Sequence, residues 1–345
     1  QKVSAAEIQE VARKYLIDDS LTIVSLDPPD DDTAEKAGTR TKRSDDIQKI
    51  ELDNGLTALL LADNRVPLVS LYANFRGGML AATPDTAGIC RLMTRLLTKD
   101  TRKRSAEEVA ELVESVGGSL SSTDGRNTLA VTAGVFPTDL ELALDLIGDS
   151  LLEPAFLDDT LAREKDFQIA AIKAENDRPF SVAMLELRRA IFGENHPYGL
   201  RTTGTIETVP TFDAAALESL RNQLVCGNNG VIAVYGDIDP SRAEDLVRAR
   251  FENSLPPGKR AFTETSHSLP EPGSKEIEIV HDKEQAILLV GFRTGGILDA
   301  DRAALDLLDE ACSDMASRVF IRIREELGLA YSVGATQLIG LDTGV

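Results

Sequence analysis

The chain has 345 residues and a formal net charge of −20, with 42% hydrophobic and 27% charged residues. This apolar content supports folded domains, and the length exceeds that of one typical core. An acidic surface repels phosphates, so we expect no nucleic-acid partner. No apolar run approaches the roughly 20 residues that cross a bilayer, so we expect no membrane span. The compartment stays open: a soluble chain, periplasmic or cytoplasmic if bacterial.

The first 46 residues resemble the end of a domain followed by a linker. Apolar residues from Ser4 to Tyr15 recur at helical spacing, and the sequence LTIVSL at 21–26 predicts a strand. Residues 29–46 have no apolar period and read as an exposed linker. A helix and one strand cannot bury a core alone. We therefore predict that residues 1–28 are the C-terminal end of a preceding domain.

Residues 47–253 carry the pattern of a complete unit. Asn54-Gly55 lies between two apolar runs, which is typical of a β-hairpin. Ser105, followed by Glu107 and Glu108, predicts a helix start. Further strands alternate with long helices predicted at about 86–99, 105–116, 137–151, 158–175, 180–191 and 212–224. This order predicts an α+β fold, a mostly antiparallel sheet with helices packed on one face.

The pattern recurs after a second linker at 254–274, which is rich in Pro, Ser and Gly. The segment at 287–305 is similar to that at 69–88, with Phe292-Arg293 in the place of Phe75-Arg76. Repeats of this length indicate duplicated domains. We predict that residues 275–345 are the N-terminal part of a second, similar domain.

Several segments in fixed order resemble one peptidase family. They are LDNGLTALLLADNRVPLVSL, GICRLMTRLLTKDT, SAEEVAELVESVGGSLSS, REKDFQIAAIKAENDRP, IFGENHPYGLRTTGT, NNGVIAVYGDID and VFIRIREELGLAYSVGA. In this arrangement the chain resembles the pitrilysin/insulinase-type zinc peptidases, the inverzincins, which include the mitochondrial processing peptidase and its core-protein relatives. The resemblance implies duplicated metallohydrolase-type (LuxS/MPP-like) domains.

Active members of the family carry H-x-x-E-H, with two zinc-binding His and a Glu that activates water. By resemblance these positions fall on Arg91, Thr94 and Arg95, and a distal Glu ligand falls on Ala170 or Ala171. We call Arg91, Thr94, Arg95 and Ala171 the degenerate positions. None of them keeps the family's residue type, so we expect no catalytic residue and no metal in this chain.

The chemistry of the side chains supports the same expectation. Zinc binds imidazole, thiolate or carboxylate, whereas a guanidinium offers no lone pair and stays protonated. Three histidines, His196, His267 and His281, lack a His partner one helical turn away, and we interpret them as surface or turn residues. The cysteines, Cys90, Cys226 and Cys312, are widely spaced, and we interpret them as small core residues.

The family's half without zinc contributes an Arg and a Tyr to substrate bound at the other half's zinc. By resemblance these are Arg324 and Tyr331, with Arg322 as the alternative arginine. We place Arg324 near the end of a helix terminated by Gly328, and Tyr331 at the start of a strand. A purely structural role for each residue stays open, because Arg favours helix ends and Tyr favours strands.

The carboxylates of Asp237 and Asp239 favour helix capping over a catalytic pair. Two functions remain. The first is a non-catalytic half of a zinc metallopeptidase that builds the substrate chamber, with zinc only in a partner half that is covalent or a separate subunit. Its substrate would be a peptide or an unfolded protein. The alternative is a structural scaffold of the core-protein type with no role in proteolysis.

Overall fold

The computed structural model describes residues 4–15, 47–259, 268–271, 273–280 and 282–345. The chain divides into two compact units, residues 1–45 and residues 46–345. In the first unit, the described part is helix α1 (Ala5–Tyr15), which confirms the predicted helix. The strand predicted at 21–26 and the linker at 29–46 lie outside the described residues.

The second unit contains a six-stranded sheet in the order β1-β2-β6-β3-β5-β4. All neighbouring strands are antiparallel except β2 and β6, which are parallel. The strands are β1 (Gln48–Glu51), β2 (Thr57–Ala62), β3 (Val69–Arg76), β4 (Ser119–Asp124), β5 (Thr128–Val135) and β6 (Gly230–Gly236).

The predicted hairpin is confirmed between β1 and β2. Its turn places Gly55 at φ +86, a left-handed conformation that a residue without a Cβ adopts at little cost. Asn54 Oδ1 accepts a hydrogen bond from Leu56 N at 3.0 Å, and Asn54 Nδ2 donates to Phe251 O at 2.8 Å. The turn is therefore fixed both locally and to the end of a distant helix.

Six helices of this unit lie at the predicted positions, and a seventh follows the predicted capping residue Asp239. They are α2 (Ile89–Leu97), α3 (Ala106–Ser115), α4 (Leu140–Leu152), α5 (Asp158–Asn176), α6 (Pro179–Phe192), α7 (Ala214–Leu224) and α8 (Pro240–Phe251). The predicted start of α3 is confirmed by a capping box between Ser105 and Glu108. Asp239 caps α8, its Oδ1 accepting from Ser241 N at 2.9 Å, as predicted.

The helices cover one face of the sheet, as the predicted fold class requires. Along β3 the side chains alternate, with Val69, Leu71 and Ala73 fully buried and Tyr72 47% exposed. Helix α4 packs on β3 and β5, α2 on β4 and β5, and α8 on β2. The α+β class with a mostly antiparallel sheet is confirmed.

The last part of the chain forms a second, two-stranded sheet from β7 (Thr294–Gly295) and β8 (Thr343–Gly344). Helix α9 spans Arg302–Ser313, and α10 (Arg318–Phe320) continues directly into a π-helical segment, Ile321–Glu326. Every helix within the described ranges is too short or too polar to span a lipid bilayer.

The strand that the repeat implies over 287–296 is limited to Thr294–Gly295. Leu288 is 87% exposed and Phe292 is 74% exposed. A strand needs a neighbour for its backbone hydrogen bonds and a layer for its apolar face. Among the described residues, nothing pairs with 287–293, so the apolar pattern alone does not produce a strand.

Candidate functional site

Helix α2 places both arginines of the degenerate positions on one face. The helix packs against β4, β5, α5 and α7 through Leu92, Met93, Leu96 and Leu97, none more than 2% exposed. Arg91 and Arg95 are four residues apart and therefore lie on the same face of the helix, on successive turns. Their side chains are 34% and 44% exposed, so this face is open to solvent.

Each arginine meets a carboxylate from another element. Arg95 Nε donates to Glu164 Oε2 of α5 at 2.6 Å, and Lys99 Nζ lies 3.8 Å from Glu164 Oε1. Arg91 Nη1 lies 3.7 Å from Asp124 Oδ1 at the end of β4. The Glu164 side chain is 6% exposed, so its charge is nearly buried against Arg95. Ion pairs link α2 to α5 and β4 at these positions.

Glu164 is the residue of this site that the sequence reasoning missed. It lies seven residues before Ala171 on α5, about two helical turns, and so on the same face. Ala170 is exposed and Ala171 is half-buried, and neither carries a polar side chain. Its spacing from the expected ligand position, a whole number of helical turns, could have pointed to this glutamate in the sequence. Only the tertiary structure shows that its carboxylate faces Arg95.

Thr94, which we predict to occupy the general-base position, is 1% exposed and hydrogen-bonded within its own helix. Its Oγ1 donates to Cys90 O at 2.7 Å, and its carbonyl accepts from Ser122 Oγ at 2.7 Å. Burial raises the pKa of the neighbouring Cys90 thiol to about 12. A hydroxyl and a protonated thiol provide no base and no thiolate at neutral pH.

The donor set at these positions does not fit zinc. It consists of two guanidinium groups, a back-bonded hydroxyl and a methyl group, where a zinc site needs imidazole, thiolate or carboxylate. Burial raises the pKa of Asp124, and the charge of Arg91 only partly opposes this effect. Within the described residues, no three His, Cys, Asp or Glu side chains are grouped to hold a metal ion.

Arg324 and Tyr331 lie together at the end of the π-helical segment. The guanidinium of Arg324 is 4.8 Å from the centroid of the Tyr331 ring and 4.8 Å from that of Phe320. The Tyr331 residue is 84% exposed. Arg324 Nε also lies 3.5 Å from Glu325 Oε1, and Arg322, the alternative arginine, pairs with Glu326. The structure therefore brings Arg324 to Tyr331 through cation–π contact.

The helix end near this pair has the predicted form, but the strand does not. Gly328 has φ +60, and its N donates to Arg324 O at 3.2 Å, which confirms it as the helix-terminating residue. Tyr331 lies in a bend, so the prediction that it begins a strand is wrong. Among the described residues, no neighbouring strand pairs with 331–335, and β propensity alone does not supply one.

His196 is a turn residue, as predicted, but it is buried rather than on the surface. It is 3% exposed, and its Nδ1 accepts from Tyr198 N at 3.1 Å at the start of the Pro197–Gly199 turn. Its ring stacks on Phe192 with centroids 5.4 Å apart. The contacts with Phe192 and Tyr198 at the end of α6 explain why His196 is buried. The other two histidines lie outside the described residues.

The cysteines follow the prediction in part. Cys90 and Cys226 are buried, whereas Cys312 on α9 is only half-buried. All three are free thiols.

Comparisons with known proteins identify the family of the chain. The insulinase (peptidase family M16) model matches residues 59–206, and the peptidase M16 inactive domain model matches residues 211–345. An uncharacterized zinc protease of Mycobacterium leprae is 30% identical over 313 residues, which cover 90% of this chain and 70% of that protein. An uncharacterized zinc protease of Mycobacterium bovis is 31% identical over 260 residues, covering 75% of this chain but 59% of that protein.

A solved structure shows the same fold. The peptidase M16 inactive domain from Pseudomonas fluorescens superimposes with a TM-score of 0.74 at 22% identity, covering 86% of this chain and 72% of that one. The two family models together span most of the chain, and the Mycobacterium leprae relative is similar along 90% of it. The chain belongs to the insulinase (M16) family of zinc peptidases, and its later part matches the inactive domain of that family.

Proposed function

We propose that this chain is the non-catalytic half of a zinc metallopeptidase. In this proposal it builds one side of the substrate chamber and supplies Arg324 and Tyr331 to a zinc-bearing half, which is covalent or a separate subunit. The substrate is a peptide or an unfolded protein. The inactive-domain match over 211–345 and the cations at the degenerate positions support the assignment.

The observation that carries the proposal is the contact between Arg324 and Tyr331. A guanidinium 4.8 Å from the ring centroid holds the phenol, whose hydroxyl can then donate to a peptide carbonyl oxygen. Such a donor acts where negative charge grows in the transition state, and Arg324 offers further donors to a neighbouring carbonyl. Both groups stabilise charge without transferring a proton, so they complement a half that carries the hydrolytic chemistry.

The test reconstitutes peptidase activity from two halves. The chain is combined with a zinc-bearing insulinase-family half, and hydrolysis of a fluorogenic peptide is measured for wild type, Tyr331→Phe and Arg324→Ala. Removing one oxyanion donor typically costs about 100- to 1,000-fold in kcat, or about 2.7–4 kcal/mol. Arg322→Ala is the matched control, because the described cation–π contact with Tyr331 comes from Arg324, whereas Arg322 pairs with Glu326. Rates unchanged by Tyr331→Phe would refute the donor role.

One observation favours the alternative, a structural scaffold. The Arg324 guanidinium already lies between two aromatic rings, those of Phe320 and Tyr331, an arrangement that also stabilises a helix end by itself. Under this alternative, Arg324→Ala lowers the thermal midpoint of the chain, and the mixed halves hydrolyse no faster than the zinc-bearing half alone.

A further inference from the structure

Three arginines from separate elements interact through their charges, Arg126 and Arg201 each acting on Arg188, and Arg201 lines a cavity with Arg91. Arg126 lies in the turn between β4 and β5, Arg188 on α6, and Arg201 after the Pro197–Gly199 turn. Arg126 is exposed, and the other two are half-buried. We call these three residues the arginine cluster. They are separated by 13 to 75 residues in sequence, so only the fold brings them together.

Hydrogen bonds fix the elements that carry the cluster. Tyr198, fully buried, donates from its hydroxyl to Asn127 Oδ1 at 2.6 Å, which ties the turn of Arg126 to the loop before Arg201. Arg188 Nη2 donates to Leu200 O at 3.1 Å, which ties α6 to the same loop. The cluster is therefore held by rigid elements.

Two carboxylates act near the cluster, Glu175 on Arg188 and Asp342 on Tyr198, and the described residues place no carboxylate at ion-pair distance from it. Among the residues that the structure describes, no carboxylate oxygen lies within 4.0 Å of a guanidinium nitrogen of the cluster. Arg188 Nε is buried and has no hydrogen-bond partner in that part of the chain. The carboxylate of Glu175 acts on Arg188 only at longer range, and its Oε2 already accepts from Thr203 Oγ1 at 2.8 Å.

The electrostatics of Arg188 follow from this arrangement. Burial, followed by the charges of Arg126 and Arg201, lowers the pKa of Arg188 to about 10. The group remains a cation at neutral pH, and its neighbours repel it. Unpaired like charges raise the free energy of the folded chain, so a bound anion would relieve both the repulsion and the unsatisfied Nε.

A small cavity beside the degenerate positions is lined by one member of the arginine cluster. Arg201 lines it together with Arg91, Asp124 and Cys90. Asp124 on that wall already pairs with Arg91, their Oδ1 and Nη1 atoms lying 3.7 Å apart. The wall therefore carries two guanidinium groups against one carboxylate, so its charge suits an anion better than a cation.

We propose that the arginine cluster is a binding site for an oxyanion, with Arg188 as its central donor. The chemistry is that of a carboxylate or phosphate group held by guanidinium donors. A peptide carboxylate and free phosphate can both supply it. The site does not depend on the presence of a zinc-bearing half, so its test uses binding and needs no peptidase activity.

The test is calorimetric titration of the chain at constant ionic strength with three probes. They are a neutral peptide with a free C-terminal carboxylate, the same peptide as its C-terminal amide, and inorganic phosphate. Arg188→Gln and Arg126→Gln should each weaken binding by about 10-fold or more, the scale of a lost charge-assisted hydrogen bond. Arg189→Gln is the matched control on the same helix, since Arg189 is 2.7 Å from Glu186; it should change binding less than about 2-fold.

Each outcome decides the proposal. Binding of the free peptide but not its amide supports a peptide carboxylate as the ligand, and binding of phosphate alone supports free phosphate. Absence of binding by every probe overturns the site, as does an equal loss in Arg189→Gln. If Arg188→Gln does not fold, Arg126→Gln decides, because Arg126 is exposed at a turn.

Discussion

The ion pair between Arg95 and Glu164 makes the sharpest prediction about the degenerate positions. The pair spans 2.6 Å, with Glu164 6% exposed and Arg95 44% exposed. Exposed pairs contribute about 0.2–1 kcal/mol, and breaking a buried pair costs about 3–5 kcal/mol. This pair lies between those limits, so we expect a coupling free energy of about 1–2 kcal/mol.

The two single variants should differ because the partners differ in burial. Arg95→Gln leaves a nearly buried carboxylate with only Lys99 nearby, 3.8 Å away, and should cost about 2–3 kcal/mol. Glu164→Gln leaves a half-exposed guanidinium that water can solvate, and should cost about 1 kcal/mol. The double variant should cost less than the sum of the two.

Urea unfolding followed by circular dichroism measures the four members of this double-mutant cycle. Lys99→Gln is the control and should change the free energy of unfolding by less than about 0.5 kcal/mol, because Lys99 is 44% exposed. EDTA should not change the unfolding midpoint of the wild type. A coupling below about 0.3 kcal/mol, within the error of additivity, would refute the ion pair as the link between α2 and α5.

Three further predictions concern metal binding, stability and thiol chemistry. Replacing Arg91 and Arg95 by His, and Thr94 and Ala171 by Glu, should create a zinc-binding site. Competition with a chromophoric chelator measures this binding, and no competition would contradict the assigned positions. The Asp149 side chain is 1% exposed and bonded to three cations, so Asp149→Asn should lower the free energy of unfolding in urea by about 3–5 kcal/mol. Asp145, whose side chain is 38% exposed, is the control, and Asp145→Asn should lower it by about 1 kcal/mol. The Cys90 thiol has a pKa of about 12, so roughly 1 molecule in 10,000 carries a Cys90 thiolate at pH 8. Mass spectrometry after treatment with iodoacetamide should therefore find Cys312 labelled before Cys90, and equal labelling would contradict the burial of Cys90.

The elements that the sequence predicts well are those whose signals are local. The Asn54-Gly55 turn, the Ser105 capping box and the Gly328 helix end each depend on residues within four positions of one another. Apolar periodicity then places the helices and strands between these signals. Local chemistry of this kind needs no knowledge of tertiary neighbours.

The features that the sequence does not predict depend on distant partners. Tyr331 and the segment 287–293 have β propensity, but a strand forms only where another strand pairs with it. The contact of Glu164 with Arg95 joins residues 69 positions apart. The arginine cluster likewise combines three elements. Propensity and spacing contain no record of such contacts.

The packing of α2 shows that the position of this helix does not depend on the charges of Arg91 and Arg95. Four of its buried side chains, Leu92, Met93, Leu96 and Leu97, each contribute about 1.5–3 kcal/mol by leaving water. That sum exceeds any single ion pair on the opposite face, so the position of the helix does not require a metal. The open face is then free to change its charge while the fold stays fixed. Arg91 on that face also lines the small cavity that contains Arg201 of the arginine cluster, so the face adds positive charge to that wall.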